Sequence, residues 1–223
     1  MIVVVGSRHD SVARSMVRAL PRAALCAAED LTCPGWVWSL ASPEHSRWVV
    51  DRTVIDDREV TGVFVRRSCV YPEELVSTHP DDREFLAAES TAFLVFVLSR
   101  TAARVVNPVI DGLLGDDAIR PEQWIPKAAE LGLTLAPLRF KRGGTLCPLA
   151  RTTTAVVVGV DVFGDAPPQL RAAATELAAA LGVVYAAFVF DGERRLVAVS
   201  ASRPPSAPAL AALGSILSTR NGT

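Results

Sequence analysis

The apolar run IVVVG at residues 2–6, followed at once by the polar turn SRHD, limits the folds open to this chain more than any other stretch. An unbroken apolar strand suits the centre of a parallel sheet covered on both faces, because a one-sided strand alternates apolar and polar side chains. The next segment, SVARSMVRAL, repeats apolar residues at Val12, Met16, Val17 and Leu20, the spacing of a helix with one buried stripe, and Pro21 stops it. Strand, turn and helix in this order open an α/β sheet, with Asp10 or Ser11 placed to cap the helix.

The pattern continues through the first half. WVWSL (36–40), RWVV (47–50) and GVFVRR (62–67) predict short strands, separated by Pro, Asp and Gly signals. A helix is expected from about Pro80 to Ser99, with Asp81, Asp82 and Glu84 in the first turn where they suit the macrodipole. Its second half is apolar nearly all round, which predicts burial, and RVVNP (104–108) predicts one more strand. The Gly- and Asp-rich stretch DGLLGDDAIRP (111–121) marks a boundary between an α/β domain at 1–118 and a second part at 119–223. That second part reads as a helix (PEQWIPKAAELG), an extended TLAPLRF, a loop KRGGTLCPLA and the β-rich TTTAVVVGVDVFG. An alanine-rich helix ended by Gly182 follows, then a hairpin VVYAAFVF/RLVAVS closed at DGE and a last helix PALAALGSIL.

Charge and composition exclude several functions. The 23 Lys and Arg against 24 Asp and Glu are mixed along the chain, so it carries no footprint for nucleic acid or an anionic membrane. The longest apolar helical stretch, FLAAESTAFLVFVL, contains Glu89 and is too short to cross a hydrocarbon layer of about 30 Å. MIVVVG lacks a basic n-region and a cleavage site, so it is expected to be a strand and not a signal peptide, and the expected location is the cytoplasm. The four cysteines, Cys26, Cys33, Cys69 and Cys147, have no CxxC spacing and read as free thiols, with no metal site.

Candidate ligand residues collect at strand ends. GSRHD has one glycine and neither dinucleotide nor P-loop spacing, which favours a plain strand-to-helix turn. Arg66 and Arg67 fall where a parallel strand ends, and His9 and Asn107 fall along the same edge, where open α/β sheets bind ligands. Two arginines there fit an anion or a peptide carboxylate. Salt bridges from Arg66 or Arg67 to Asp81, Asp82 or Glu84 are the favoured expectation. Glu89, on an apolar helix, is expected to be buried and paired with an arginine. His79 leads into the Pro80 helix, His45 lies in a polar turn, and no Ser-His-Asp order assembles. Trp36, Trp38, Trp48 and Trp124 are expected in the core or at a subunit contact.

Several of these stretches, taken in order, resemble the ATP-grasp superfamily of carboxylate-amine and carboxylate-thiol ligases. The opening strand with GSRHD, GVFVRR, DDREFLAAE and VVNP resemble its N-terminal pre-ATP-grasp domain. RPEQWIPKAAELGLTLAP, AVVVGVDVFG and LAAALGVVYAAFVFDGERRLVAVSASRP resemble parts of the ATP-binding region. The resemblance implies an open α/β sheet followed by a reduced ATP-grasp-like α+β part. It also implies three magnesium-ligand positions, which here hold Val189, Ala198 and Ser200. Magnesium needs hard oxygen ligands, and alanine and valine offer none. Of the two basic residues the family uses, one place near the RPEQW helix shows Arg120 displaced beside Pro121. The other belongs to a lid subdomain, for which only fourteen residues remain between Phe140 and Ala155. Even one βαβ unit needs about thirty.

The expectation is therefore a catalytically silent binding or accessory protein with no cofactor. Its partner is a protein or peptide in peptide or natural-product modification, such as an ATP-grasp ligase, and apolar faces left by the lost lid favour a homodimer. The rival expectation is an active ligase or other small-molecule enzyme that works at the strand-end arginines, with nucleotide held by a partner chain. Convergence of two of Asp161, Asp165, Asp191 and Glu193 would reopen a metal site within the chain.

Overall fold

The computed structural model describes residues 1–41, 45–107, 109–110, 112–115, 119–137 and 152–219. The chain forms two compact units, Met1–Ala118 together with Leu210–Thr223, and Ile119–Ala209. The second part expected at 119–223 thus gives up its final stretch to the first unit. Glycine at position 62 makes room for it, since an added Cβ there would lie 2.4 Å from the Leu217 carbonyl oxygen.

The first unit runs β1 (Ile2–Val5), α1 (Ser11–Ala19), β2 (Ala23–Cys26), α2 (Ala28–Leu31), β3 (Arg47–Val50), β4 (Thr53–Asp56), β5 (Gly62–Val65), α3 (Arg83–Arg100) and β6 (Arg104–Val106). Strands β2, β1, β5 and β6 lie side by side in that order, all parallel. β1 and β5 are buried at every position, as their unbroken apolar sequences predict. The chain crosses from β1 to β2 through α1 and from β5 to β6 through α3, in opposite directions along the sheet. Right-handed crossovers then put the two helices on opposite faces and leave a switch point between β1 and β5.

One core joins Val3, Val5, Val63 and Val65 of the sheet to Ala87, Leu94, Val97 and Leu98 of α3 and to Trp48. On the sheet's other face, α1 buries Ala13 and Met16, and Gly6 approaches Ala13 closely. β3 and β4 form a separate hairpin closed by Asp51 and Arg52, both at positive φ (48° and 60°), the turn whose twist suits a two-residue hairpin. The stretch expected as a strand at 36–40 contributes only an isolated bridge at Val37. Its tryptophans pack sideways instead: Trp36 meets Trp48 and Phe93 with centroids at 5.5 and 5.1 Å, and Trp38 meets Trp48 at 6.1 Å.

The second unit holds α4 (Pro121–Glu130), β7 (Thr152–Val158), β8 (Asp161–Gly164), α5 (Pro168–Leu181), β9 (Tyr185–Asp191) and β10 (Leu196–Ser200). α6 (Ala207–Ser218) then passes into the first unit. Its sheet, in order β10-β9-β7-β8, is antiparallel throughout. Gly182 ends α5 with φ 66°, a left-handed cap that glycine adopts without steric cost. The loop expected at KRGGTLCPLA, and with it most of the connection expected to be too short for a lid, lies outside the described residues, as does Cys147.

Candidate functional site

At the switch point each strand-end arginine is held by a carboxylate of the same unit. Asp10 caps α1, accepting from the Val12 and Ala13 N–H groups at 2.8 and 3.1 Å, and receives Arg66 Nε at 2.7 Å. Partial burial alone would raise the Asp10 pKa. The Arg66 hydrogen bond and charge, with the two N–H donors, outweigh it and hold the carboxyl below its ordinary value. Arg67 pairs through Nη2 with Glu74, whose carboxylate also receives the Tyr71 N–H at 3.1 Å. The expected partners Asp81, Asp82 and Glu84 are not used for these arginines. They belong to the start of the α3 region, whereas Asp10 and Glu74 follow their strands directly and reach the arginines first.

Arg67 is the unusual member. Its side chain is 3% exposed, yet Nε and Nη1 have no hydrogen-bond partner. Arg8, after β1, lies 3.4 to 3.8 Å from Glu29, Asp30 and Asp51, and its Nη2 is likewise buried without a hydrogen bond. Asp30 is fully buried, accepting from the Ala27 and Arg52 N–H groups at 2.8 and 2.9 Å. Asn107 closes β6, buried at 2% exposure with φ 58°, and His9 is exposed on the turn after β1. Glu89 corrects the sequence expectation: it lies on the exposed side of α3 and needs no buried partner. The buried carboxylate near that helix is Asp57, which receives Trp48 Nε1 at 2.8 Å and Thr101 Oγ1 at 2.7 Å. Sequence reasoning missed Asp57 and Asp30 because each stands in an acidic pair, Asp56–Asp57 and Glu29–Asp30, and the sequence carries no sign of which carboxylate turns inward.

The three positions that the resemblance assigns to magnesium sit together on β9 and β10. Val189 pairs directly with Ala198, and Ser200 pairs with Ala187, so all three occupy one face, each half-buried. Ser200 bonds its neighbour, its Oγ lying 3.2 Å from both the Ser202 hydroxyl and N–H. A valine, an alanine and one neutral hydroxyl do not fit a magnesium ion.

Three of the four nearby acids have partners of their own. Asp191 braces the β9–β10 turn, accepting from the Glu193 and Arg195 N–H groups at 2.9 Å each and from Arg195 Nε at 2.8 Å. Burial would raise its pKa, but these bonds hold it low. Glu193 pairs with the same arginine at 2.8 Å, and Asp165 receives the Thr154 N–H at 2.7 Å. Among the described residues no three His, Cys, Asp or Glu side chains come together in a way that holds a metal.

No family model and no curated protein matches the sequence. Solved structures do match. The macrocyclase MdnC from Microcystis aeruginosa MRC, bound with precursor peptide MdnA, superposes with a TM-score of 0.70 at 14% identity, covering 97% of this chain and 98% of that one. A Chryseobacterium gregarium RiPP-associated ATP-grasp ligase, in complex with ADP and a leader and core peptide, gives 0.67 at 9% identity, with 97% and 96% covered. The ATP-grasp ligase PsnB, complexed with minimal precursor, Mg and ADP, gives 0.60 at 14% identity over 91% and 89%. This chain has an ATP-grasp-like fold. Its parallel sheet and its antiparallel four-stranded sheet both belong to that fold. No helix among the described residues is long and apolar enough to cross a membrane.

Proposed function

We propose that the protein is a catalytically silent ATP-grasp-like accessory protein that holds a peptide, or a partner ATP-grasp ligase, during peptide modification. One observation carries this reading: Val189, Ala198 and Ser200 share a face of β9 and β10 and offer no carboxylate oxygen between them. Phosphoryl transfer is catalysed chiefly by metal ions and cations placed around the phosphates, so loss of those ligands removes the main source of rate. The fourteen residues between Phe140 and Ala155, too few for a lid, support the same reading. Peptide handling is supported by the precursor peptide bound to MdnC, the minimal precursor bound to PsnB and the leader and core peptide bound to the Chryseobacterium ligase.

A second reading, an active enzyme that borrows nucleotide from a partner chain, is favoured by the spare N–H donors of Arg67 at the strand ends. Intact-mass analysis of a precursor peptide separates the two. The protein alone with peptide, ATP and magnesium should leave the peptide mass unchanged and add only binding, seen as a rise in fluorescence anisotropy of the labelled peptide. Loss of water from the peptide under these conditions would overturn silence, and loss only when a partner chain is added, and abolished by Arg67→Met, would favour the second reading.

A further inference from the structure

Charges of both signs are mixed along the sequence, but the fold sorts them. α1 exposes Ser11, Arg14, Ser15, Arg18 and Ala19, the i, i+3, i+4, i+7, i+8 spacing of a single helix face, and Arg22 is exposed just past the helix end. No Asp or Glu occurs between Ser11 and Ala28. Arg14 donates to the Arg8 carbonyl at 2.9 Å, and no acidic side chain among the described residues pairs with Arg14, Arg18 or Arg22. Ser15 turns its hydroxyl back to the Ser11 carbonyl at 2.8 Å. α6 packs at the end of this helix, where an added Cβ on Gly214 would lie 2.9 Å from Leu20, and its sequence APALAALGSILS adds no charge. On the other side of the sheet, α3 exposes Glu84 and Glu89 beside Phe85 and Phe96. The first unit thus has a basic helix face and an acidic one, which a net charge of −1 conceals.

We propose that the exposed face of α1 docks an acidic helical peptide segment, with carboxylates one turn apart set against Arg14 and Arg18 and a further one against Arg22. This rests on the reading that the protein holds a peptide, and it names the chemistry of that peptide. Arg14 and Arg18 stand one turn apart, about 6 Å along the axis, which is also the spacing of glutamates at i and i+4 on a partner helix. Ser11, Ser15 and Ala19 make a strip of small side chains beside them, so a second helix can lie close while the guanidiniums reach over it. Each guanidinium offers a carboxylate two parallel N–H donors. The same strip disfavours a membrane surface, because helices that lie on membranes carry Trp, Phe or Leu beside their basic residues. Nucleic acid is disfavoured as well, since three arginines on a chain of net charge −1 neutralise few phosphates.

The test is fluorescence anisotropy of a labelled, alanine-rich helical peptide with glutamates four residues apart, titrated with the full chain. Binding should saturate and should weaken as salt is raised, and the same peptide with glutamine in place of glutamate should not bind. Arg18→Glu should lower the affinity about tenfold with an unchanged circular dichroism spectrum, while Lys127→Glu on α4 should leave it unaltered. The doubly reversed chain, Arg14→Glu with Arg18→Glu, should instead take the lysine version of the peptide, which a merely misfolded variant would not do. No binding of the glutamate peptide, or binding that Arg18→Glu leaves intact, would overturn the inference. Tighter binding of an oligothymidylate, or of phosphatidylglycerol vesicles, through the same arginines would overturn it too. A precursor peptide that binds where the glutamate peptide does not would overturn this inference alone and leave the peptide-holding reading standing.

Discussion

The buried pair of Arg67 and Glu74 gives a prediction with an unusual asymmetry. The Arg67 side chain is 3% exposed and Glu74 11%, and only Nη2 of the guanidinium is paired, leaving Nε and Nη1 buried without partners. Removing one partner of a buried pair generally costs about 3–5 kcal/mol, because the other charge stays behind uncompensated. Glu74→Ala leaves a guanidinium with no acceptor and also takes away the acceptor of the Tyr71 N–H, so the full cost of about 3–5 kcal/mol is expected.

Arg67→Met removes the charge together with the unpartnered donors and fills much the same volume. It leaves a carboxylate that is nearer to solvent and keeps its bond to Tyr71 N–H. Its cost should be smaller, about 1 kcal/mol, since the desolvation of the unused donors is recovered. By thermal melts followed by circular dichroism, Glu74→Ala should lower the midpoint by about 10 °C and Arg67→Met by about 3 °C. A larger loss for Arg67→Met than for Glu74→Ala would refute the reasoning, because it would mean that Nε and Nη1 carry stabilising bonds.

Three further outcomes follow from the same geometry. Asp10 has its pKa depressed from 3.8, so the stability it contributes is complete above that value and disappears as pH falls through the lower folded-state value. In acid titrations followed by fluorescence, wild type should lose its margin over Asp10→Asn only in that acidic window, and a margin that vanished near neutrality would contradict the assignment. Gly62→Ala should destabilise the first unit by about 3 kcal/mol or more, since the added Cβ meets the Leu217 backbone at 2.4 Å; a melting point within error of wild type would show that α6 does not dock there. Burial and the nearby Asp30 carboxylate push the Cys26 thiol far up, so mass spectrometry after iodoacetamide treatment of the native protein should find it unmodified, and rapid labelling would contradict its burial.

Much of the fold is legible in the sequence because its strongest signals are local and periodic. IVVVG, the SVARSMVRAL stripe and the Gly182 stop act within one element, and each appears in the structure as β1, α1 and the end of α5. The short strands β2 and β4 were harder to read: AALC is as alanine-rich as a helix, and TVID carries two polar residues. The misreadings share a cause. Glu89 looked buried because the composition of α3 is apolar, but burial depends on which side of the helix a residue falls, and here the phenylalanines share the exposed side with it. The partners of Arg66 and Arg67 are expected in the acidic run at 81–84, whereas Arg67 takes the nearer Glu74 and Asp10 reaches Arg66 from 56 positions away, through the sheet. The three magnesium positions could be counted along the chain only by resemblance, and pairing of Val189 with Ala198 is what brings them onto one face.

The most direct test of the central claim is calorimetric titration of the purified full chain with ATP, with and without magnesium. The account predicts no heat of binding in either titration, because the β9–β10 face offers no carboxylate to hold a metal on the phosphates. Magnesium-dependent binding at micromolar affinity would contradict it and would place a working nucleotide site in this chain.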